Sequence, residues 1–208
     1  MDETVAFGGI PTTILADILG REQAMAIGIR PLWPDVGRVA GPAFTVACAH
    51  GDNLMLHAAI YRAAPGSVLV VESGDVDYAV AGGNVCAVAQ RRGIAALVID
   101  GVIRDLAEIR NSRFPVFARG AVPVAGIKAV TAPLNAPVRC GGVTVYAGDI
   151  VVADDDGVIV VPRDHHEQVL QDGRARLARE ADLTLDAWEA DHHARIDKIL
   201  AEHDFEAG

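Results

Sequence analysis

The chain has 208 residues, of which 51% are hydrophobic, and it carries a formal net charge of -10 at neutral pH. This length and composition predict a single domain, residues 1–208, with enough apolar surface to bury a core. The acidic balance argues against a nucleic-acid partner, because phosphate contacts need a basic patch and none is visible. A small anionic substrate remains compatible with the sequence, since it needs only local positive charge.

The sequence also bears on the compartment in which the protein works. Its amino-terminal residues lack a basic region followed by an apolar one, so no signal peptide is predicted. No apolar run is long enough for a membrane-spanning helix. The three cysteines, Cys48, Cys86 and Cys140, are far apart and lack CxxC spacing, which favours reduced thiols over a disulfide framework. We therefore expect a cytoplasmic protein without a membrane partner.

The first half of the sequence alternates helical and strand patterns. In chain order, these patterns predict a helix from Pro11–Thr13 to Gly20, a strand at 42–49, a helix at 51–63 capped near Asp52, a strand at 67–72, a helix at 84–92, a strand at 95–100 and a helix at 105–110. Such alternation is typical of an α/β layer.

The pattern changes after Phe114 to short β runs separated by glycine and aspartate turns, which predict a mostly antiparallel or mixed sheet. The predicted runs are 115–120, 122–126, 136–142, 143–149, 150–157 and 158–162. Residues 164–205 are polar and helical in pattern, and we expect a carboxy-terminal helical extension that is exposed or packs on a neighbouring subunit.

An acidic run, Asp154, Asp155 and Asp156, has two interpretations. It resembles a metal site in composition, but it lacks the alternating oxygen ligands and the final glutamate of a calcium-binding loop. A tight turn between two strands is the favoured prediction.

The pair Gly82-Gly83 precedes a predicted helix without forming a dinucleotide or P-loop motif. Without side chains, the glycines allow their own N–H groups and those of Asn84 and Val85 to approach a carboxylate at the helix N-terminus. The alternative is a tight turn that binds nothing, and the spacing alone does not choose between them.

Arg104 and Asp105 directly follow the predicted strand at 95–100 and its short continuation. Loops at the carboxyl ends of strands are where α/β proteins usually build their sites. The alternative is that Asp105 only caps the next helix and that Arg104 is a surface charge. The combination of an anion-binding turn, a helix, a strand and then a cation beside a carboxylate favours a functional site.

Over residues 10–185 the sequence resembles the RraA-like family, in particular its class II pyruvate aldolases of 4-hydroxy-4-methyl-2-oxoglutarate and 4-carboxy-4-hydroxy-2-oxoadipate. The resemblance rests on GDNLMLHAA (51–59), RRGIAALVIDGVIRD (91–105), FPVFARG (114–120), AGDIVVADDDGVIVVP (147–162) and RARLAREAD (174–182). It implies a single α/β domain of the swivelling type, layered helix/sheet/sheet, with a long C-terminal helix. It also implies a homotrimer or hexamer with active sites at the subunit interfaces.

The resemblance implies a catalytic site built around Arg104 and Asp105. Asp105 would bind a divalent ion, Mg²⁺ or Mn²⁺, whose other ligands are water, and Glu180 of an adjacent subunit would orient that water. Arg104 would bind the keto oxygen of a pyruvyl group and stabilise its enolate. A metal ion and an arginine suit this chemistry, since both stabilise an oxyanion.

The same resemblance implies how the substrate carboxylate is bound. Backbone amides that follow Gly82, those of Gly83, Asn84 and Val85, would hold it, and Asn53 would line the pocket. The substrate would be a small anionic keto acid.

Position 83 departs from the family's signature, which is an acidic residue, twenty intervening residues and then Arg-Asp. Counting back from Arg104, the acidic position is Gly83, which has no side chain. The family's carboxylate there takes part in proton transfer through water. Three alternatives follow: another group replaces it, with Asp77, His50 and His57 as candidates, or water does so poorly, or the chain is not an aldolase.

The sequence therefore predicts a metal-dependent lyase that cleaves a pyruvyl-containing keto acid through a pyruvate enolate. Retro-aldol cleavage and oxaloacetate decarboxylation both fit, because both produce that enolate. The main alternative is a non-catalytic regulator that binds ribonuclease E, as relatives in the family do. A third possibility is a lyase or hydratase that acts on an unrelated acid with the same metal site.

Overall fold

The computed structural model of the protein describes residues 3–203 and residue 205. The helices are α1 (Glu3–Phe7), α2 (Thr12–Leu19), α3 (Leu54–Ala59), α4 (Gly83–Arg91), α5 (Leu106–Ser112), α6 (His166–Ala181) and α7 (Leu185–Glu202). The strands are β1 (Arg30–Pro31), β2 (Val39–Ala47), β3 (Val68–Glu72), β4 (Ala79–Ala81), β5 (Ala96–Ile103), β6 (Val116–Ala121), β7 (Val138–Cys140), β8 (Val143–Val145), β9 (Ile150–Asp154) and β10 (Gly157–Val161).

The main sheet is mixed, as the sequence predicts. Its strands follow the order β1-β6-β5-β3-β2-β9-β10, and the short strand β4 pairs with the end of β5. Strands β2, β3, β5 and β6 run parallel to one another, whereas β1, β9 and β10 pair antiparallel with their neighbours. Residues 68–71 of β3 and 96–99 of β5 are continuous runs of Val, Ile, Leu and Ala, because both faces of a parallel sheet are covered.

Strand β2 belongs to two parts of the sheet. Its first residues, 39–42, pair with β9, and residues 43–47 pair with β3. One face of the parallel strands packs against α3, α4 and α5, and the other packs against the hairpins β7–β8 and β9–β10. Helices α1 and α2 cover the outer face of β9–β10. This is the helix/sheet/sheet layering of the predicted α/β fold, which is confirmed.

Two predicted elements differ from the structure. The predicted helix at 51–63 is reduced to α3, because the residues before it form a turn around buried Asp52, which accepts hydrogen bonds from the N–H groups of Leu54, Ala129 and Val130. The predicted strand at 122–126 was wrong. That segment bonds in turn to Ile103, to Ala79 and to the loop at 51–53, so no single neighbour continues a ladder.

The chain divides into two compact units, Met1–Gly173 and Arg174–Gly208. The second unit contains the end of α6 and all of α7, whose first turn is capped by a hydrogen bond from the Ala187 N–H to Thr184 Oγ1. Its exposed apolar side chains include Leu183, Leu185 and Trp188. In the described part of the chain, no helix is both long and apolar enough to cross a membrane.

Candidate functional site

The candidate site forms where β4 and β5 end side by side. Ala81 pairs with Ile103, and the Arg104 N–H donates to the Ala81 carbonyl oxygen at 2.9 Å. The residue after each strand therefore faces its counterpart across this edge, which brings Gly82 against Arg104 and Asp105. A small cavity of about 80 Å³ opens here, lined by Asn53, His57, Ala79, Val80, Ala81, Gly82, Asn84, Val85, Arg104, Asp105, Ala125 and Lys128.

Six of the predicted site residues share this cavity: Asn53, Gly82, Asn84, Val85, Arg104 and Asp105. Gly83 is buried and begins α4, but it is not part of the cavity lining. Glu180 lies on α6 in the second compact unit, where its carboxylate accepts a hydrogen bond from Arg176 Nε at 3.1 Å.

Gly82 allows Arg104 and Asp105 to lie close to the start of α4. A Cβ atom at this position would lie 2.5 Å from Asp105 Oδ2 and 3.1 Å from Arg104 Nε. The backbone of Gly82 is extended, with φ of -148°, so any residue could adopt it. Space rather than conformation requires glycine here.

The first turn of α4 presents N–H groups that no helical carbonyl satisfies. The Gly83 N–H donates to Asp105 Oδ2 at 2.9 Å, so one predicted substrate donor is already engaged within the protein. The N-cap residue, Gly82, has no side chain with which to cap the helix. The N–H groups of Asn84 and Val85 therefore remain as the anion-binding donors of the turn.

Asp105 adopts an unusual backbone conformation that directs its carboxylate away from its own helix. It occupies the N-cap position of α5 in the left-handed region, with φ of 60° and ψ of 38°, and its side chain makes no cap hydrogen bond. Instead, Oδ2 accepts the Gly83 N–H and lies 3.6 Å from Arg104 Nε. Among the described residues Oδ1 has no hydrogen-bond donor. The alternative that Asp105 merely caps α5 is therefore wrong for its side chain.

The far wall of the cavity carries an unsatisfied acceptor. Asn53 is only 3% exposed, and its Nδ2 donates to the Gly126 carbonyl oxygen at 3.1 Å. Its Oδ1 is buried and finds no donor among the described residues. Leaving a buried acceptor unpaired costs about 1–3 kcal/mol. A hydroxyl or water that reaches into the cavity would remove this cost.

Lys128 and His57 complete the wall beside Asn53. Burial, reinforced by the positive charge of Lys128, lowers the pKa of His57 and so favours the neutral imidazole. Lys128 is exposed, and its loop is held by the bonds that Asp52 accepts from Ala129 and Val130. Burial would raise the pKa of Asp52, but its three backbone hydrogen bonds outweigh burial and lower it.

The donor set fits a hydrated hard cation held by one carboxylate. In the described part of the chain, no group of three or more His, Cys, Asp or Glu side chains could surround a metal ion. Magnesium is commonly bound through one or two carboxylates and several waters, so it does not need such a group. The Asp105 carboxylate has an oxygen without a hydrogen bond and a side chain that is 38% exposed, and it meets this requirement.

Of the three candidates for the missing acid at position 83, only His57 lines the cavity. His50 is largely exposed and lies 3.9 Å from Asp75, while Asp77 is exposed and donates its N–H to Asp75. The sequence reasoning missed Glu108, whose carboxylate overlaps the space that a side chain on Gly83 would fill. Its position one helical turn after Asp105 was the available signal.

Lys128 was also missed, although it is one of only two lysines in the sequence.

The predictions for the acidic run and the cysteines are confirmed. Asp155 and Asp156 form the turn between β9 and β10, and all three cysteines are buried and free. Burial, followed by the nearby Asp105 charge, raises the pKa of Cys86 to about 12, so this thiol next to the site stays protonated.

Comparison with known proteins adds independent support for the family. The family model for RraA-like proteins, described as Aldolase/RraA, matches residues 12–160. A protein of Halalkalibacterium halodurans named "Putative 4-hydroxy-4-methyl-2-oxoglutarate aldolase" is 38% identical over 202 residues, which cover 97% of this chain and 92% of that protein.

Two solved structures of RraA proteins are also similar. Streptomyces coelicolor RraAS2, a member of the RNase ES inhibitor RraA family, superposes with a TM-score of 0.77 and 27% identity, covering 86% of this chain and 94% of that one. The RNA-processing inhibitor RraA from Thermus thermophilis gives a TM-score of 0.67 and 28% identity, covering 73% and 92%.

Proposed function

The chain belongs to the RraA-like (Aldolase/RraA) family, and on that premise we propose that it is a divalent-metal-dependent lyase that releases pyruvate enolate from a keto acid. The observation that carries this proposal is the single cavity that joins the start of α4, Arg104 and Asp105. A cation, a carboxylate with a spare oxygen and free backbone N–H groups meet there at the carboxyl ends of two strands.

These groups fit the pyruvyl end of a substrate. The N–H groups of Asn84 and Val85 would bind its carboxylate, since a helix N-terminus favours an anion. Arg104 would donate to the keto oxygen, which becomes the enolate oxygen. A guanidinium carries a positive charge and planar N–H donors, so it can stabilise that oxygen as negative charge develops.

The opposite wall fits a second acidic group. Lys128 gives the cavity a second positive charge, and Asn53 Oδ1 is a buried acceptor without a donor. A 4-hydroxy-2-oxo diacid offers both partners, a distal carboxylate for Lys128 and a hydroxyl for Asn53. We infer that 4-hydroxy-4-methyl-2-oxoglutarate and similar diacids are the substrate class.

Asp105 would hold the Mg²⁺ or Mn²⁺ ion, which when bound supplies electrostatic stabilisation of the enolate oxygen. In retro-aldol cleavage the 4-hydroxyl loses its proton and the C3–C4 bond breaks. Its electron pair forms the enolate, while C4 becomes a carbonyl. In oxaloacetate decarboxylation the bond to the departing carboxylate supplies the same electron pair, and carbon dioxide leaves. Both reactions end when C3 of the enolate takes up a proton.

The proposal includes an assembly in which neighbouring subunits share each site, as a homotrimer or hexamer. Glu180 of one subunit would then orient water around the metal bound to Asp105 of the next. A mixture of Asp105→Ala and Glu180→Ala chains tests this directly. Equal mixing in a cyclic assembly gives about a quarter of sites with both residues intact, so two inactive variants should recover part of the activity on co-assembly. Mixtures as inactive as their components would contradict shared sites.

The central experiment measures pyruvate release from 4-hydroxy-2-oxo acids and from oxaloacetate, with Mg²⁺, with Mn²⁺ and with chelator. The proposal expects metal-stimulated release that chelator abolishes. No release from any of these acids, by protein that is folded and loaded with metal, would overturn it. A binding assay with ribonuclease E would then test the regulatory alternative.

A further inference from the structure

We propose that Glu108, on α5, is the carboxylate that accepts the substrate's hydroxyl proton, in place of the acid that is absent at position 83. The inference rests on the proposed lyase function and assigns a catalytic group to the same site. It concerns retro-aldol cleavage in particular, since decarboxylation removes no hydroxyl proton.

The geometry places the Glu108 carboxylate where a side chain of residue 83 would lie. A Cβ built on Gly83 overlaps Glu108 Oε2 and lies 3.2 Å from Glu108 Cδ and 3.3 Å from its Cβ. Gly83 has no side chain, so the glutamate can lie directly over the first turn of α4. The Glu108 carboxylate thus occupies the space that an acidic side chain at position 83 would fill, although residues 83 and 108 belong to different helices.

Local backbone structure explains how a residue of α5 reaches this place. Asp105 is in the left-handed conformation, its Oδ2 accepts the Gly83 N–H, and the Glu108 N–H donates to the Asp105 carbonyl oxygen at 3.1 Å. The first turns of α4 and α5 are therefore tied together through Asp105. One helical turn after Asp105, residue 108 projects from the same side of α5.

The carboxylate of Glu108 is chemically available. It is exposed, and its side chain forms no hydrogen bond or ion pair with any residue that the structure describes. A glutamate with a purely structural role would be expected to have such a partner. Of its rivals, His57 lines the cavity, whereas His50 and Asp77, like Glu108 itself, do not. What distinguishes Glu108 is that its carboxylate lies against Gly83, at the position of the missing acid.

In the proposed step a water molecule beside the substrate relays the 4-hydroxyl proton to Glu108. The electrons of the O–H bond form the new carbonyl bond at C4, and those of the C3–C4 bond form the enolate. The protonated Glu108 then returns its proton, through water, to C3 of the enolate. No oxidant or further reactant is needed, and the carboxylate ends the cycle as it began.

The first test is the ratio of cleavage to decarboxylation in Glu108→Gln, which keeps the shape of the side chain and removes its basicity. General base catalysis contributes about 10²–10⁴-fold, so cleavage of 4-hydroxy-4-methyl-2-oxoglutarate should fall by about 100-fold or more. Oxaloacetate decarboxylation should fall far less, and the ratio should drop accordingly. Glu167→Gln, the same change at an exposed glutamate in the first turn of α6, is the matched control and should leave the ratio unchanged.

The second test moves the carboxylate back to α4. Gly83 does not have a positive φ, so its backbone accepts a side chain once Glu108 is shortened. Glu108→Ala should lose cleavage, and the double variant Gly83→Asp with Glu108→Ala should regain at least tenfold of it, whereas decarboxylation should change little between these two variants. His57→Asn should leave the cleavage-to-decarboxylation ratio near that of the wild type.

The outcomes distinguish a failure of the Glu108 assignment from a failure of the lyase function. If the wild type cleaves the diacid with metal and Glu108→Gln keeps the wild-type ratio, the assignment of Glu108 is overturned while the lyase function stands. If His57→Asn lowers the ratio and Glu108→Gln does not, His57 is the base. If metal-loaded wild type releases pyruvate from neither acid, the proposed function fails and the role of Glu108 fails with it.

Discussion

Two strand ends in this molecule each pair an aspartate with an arginine, yet the two arrangements differ in what they leave unsatisfied. At the end of β9, the buried Asp154 accepts hydrogen bonds from the Thr12 N–H at 3.1 Å, from Thr12 Oγ1 at 2.5 Å and from Arg38 Nε at 3.1 Å. After β5, Asp105 accepts one hydrogen bond from a protein donor, and its arginine lies 3.6 Å away.

The difference separates a structural carboxylate from one that is available to a ligand. Each oxygen of Asp154 already has protein donors, and its side chain is 11% exposed, so a ligand would have to break existing bonds. Asp105 has a free oxygen, a side chain that is 38% exposed and a strained backbone. Residue type and neighbouring charge are the same in both places, whereas the number of satisfied lone pairs distinguishes them.

The largest expected effect is that of Asp105→Ala on activity. This carboxylate is the proposed metal ligand, and even substitutions of residues that only support a ligand cost about 10–100-fold. Metal-stimulated pyruvate release should therefore fall by more than about 100-fold, while the thermal unfolding midpoint changes little. Undiminished metal-stimulated turnover would show that Asp105 has no role in the mechanism. Asp105 would then not differ from Asp154 in being available to a ligand.

Arg104→Lys should have the next largest effect, a loss of about 10–100-fold in kcat. Its upper limit equals the smallest loss that is typical when one oxyanion-hole donor is removed, about 100-fold. A planar guanidinium can donate to the keto oxygen and the carboxylate together, and a lysine ammonium cannot match that geometry. Steady-state kinetics with saturating metal would measure the change. A variant as fast as the wild type would make Arg104 a surface charge.

Asp154→Asn should affect stability and not activity. Removing the charge leaves Thr12 and Arg38 with poorer partners, at a cost of roughly 2–3 kcal/mol in the free energy of unfolding. Burial would raise the pKa of Asp154, but its hydrogen bonds, led by those from Thr12, outweigh burial and lower the pKa from its usual value. Its contribution is thus present above about pH 4 and is lost as the pH falls through the folded-state pKa.

Chemical denaturation between about pH 5 and pH 3 measures this contribution. The wild type should lose stability on acidification more steeply than Asp154→Asn, and the variant should keep metal-dependent turnover once folded. Equal slopes for the two proteins would show that Asp154 does not carry this pH dependence.

Lys128→Met should give the smallest effect. The lysine is exposed, and exposed ion pairs contribute about 0.2–1 kcal/mol, so the KM for a diacid should rise only about two- to fivefold. A keto acid that lacks the distal carboxylate should show no such change. An equal rise for both substrates would mean that Lys128 does not bind the second carboxylate.

The sequence predicts the sheet and the location of the site because both depend on local pattern. The Val/Ile run before Arg104 identifies a buried strand, and a strand's carboxyl end is where the following charged residues must lie. The helix after Gly82 begins within one residue of the prediction for the same reason. These features need no knowledge of distant contacts.

The parts that sequence reasoning missed depend on contacts between distant segments. Lys128 reaches the site because Asp52, far away in the chain, binds the backbone next to it. The spacing places Glu108 one helical turn after Asp105, but its contact with Gly83 also depends on the left-handed conformation of Asp105, which the sequence does not reveal. The irregular path of residues 122–130 likewise follows from bonds to three different neighbours.

The two adjacent glycines at the start of α4 differ in how readily evolution can replace them. At position 82 a single methyl group would displace both Asp105 and Arg104, so no stepwise substitution there avoids damage to the site. At position 83 the space is filled by a flexible side chain from another helix, which a new residue could replace. Mutational drift can therefore move the carboxylate between α4 and α5 while position 82 stays fixed. A motif search that requires an acidic residue at position 83 would therefore miss chains in which the acidic residue lies on α5.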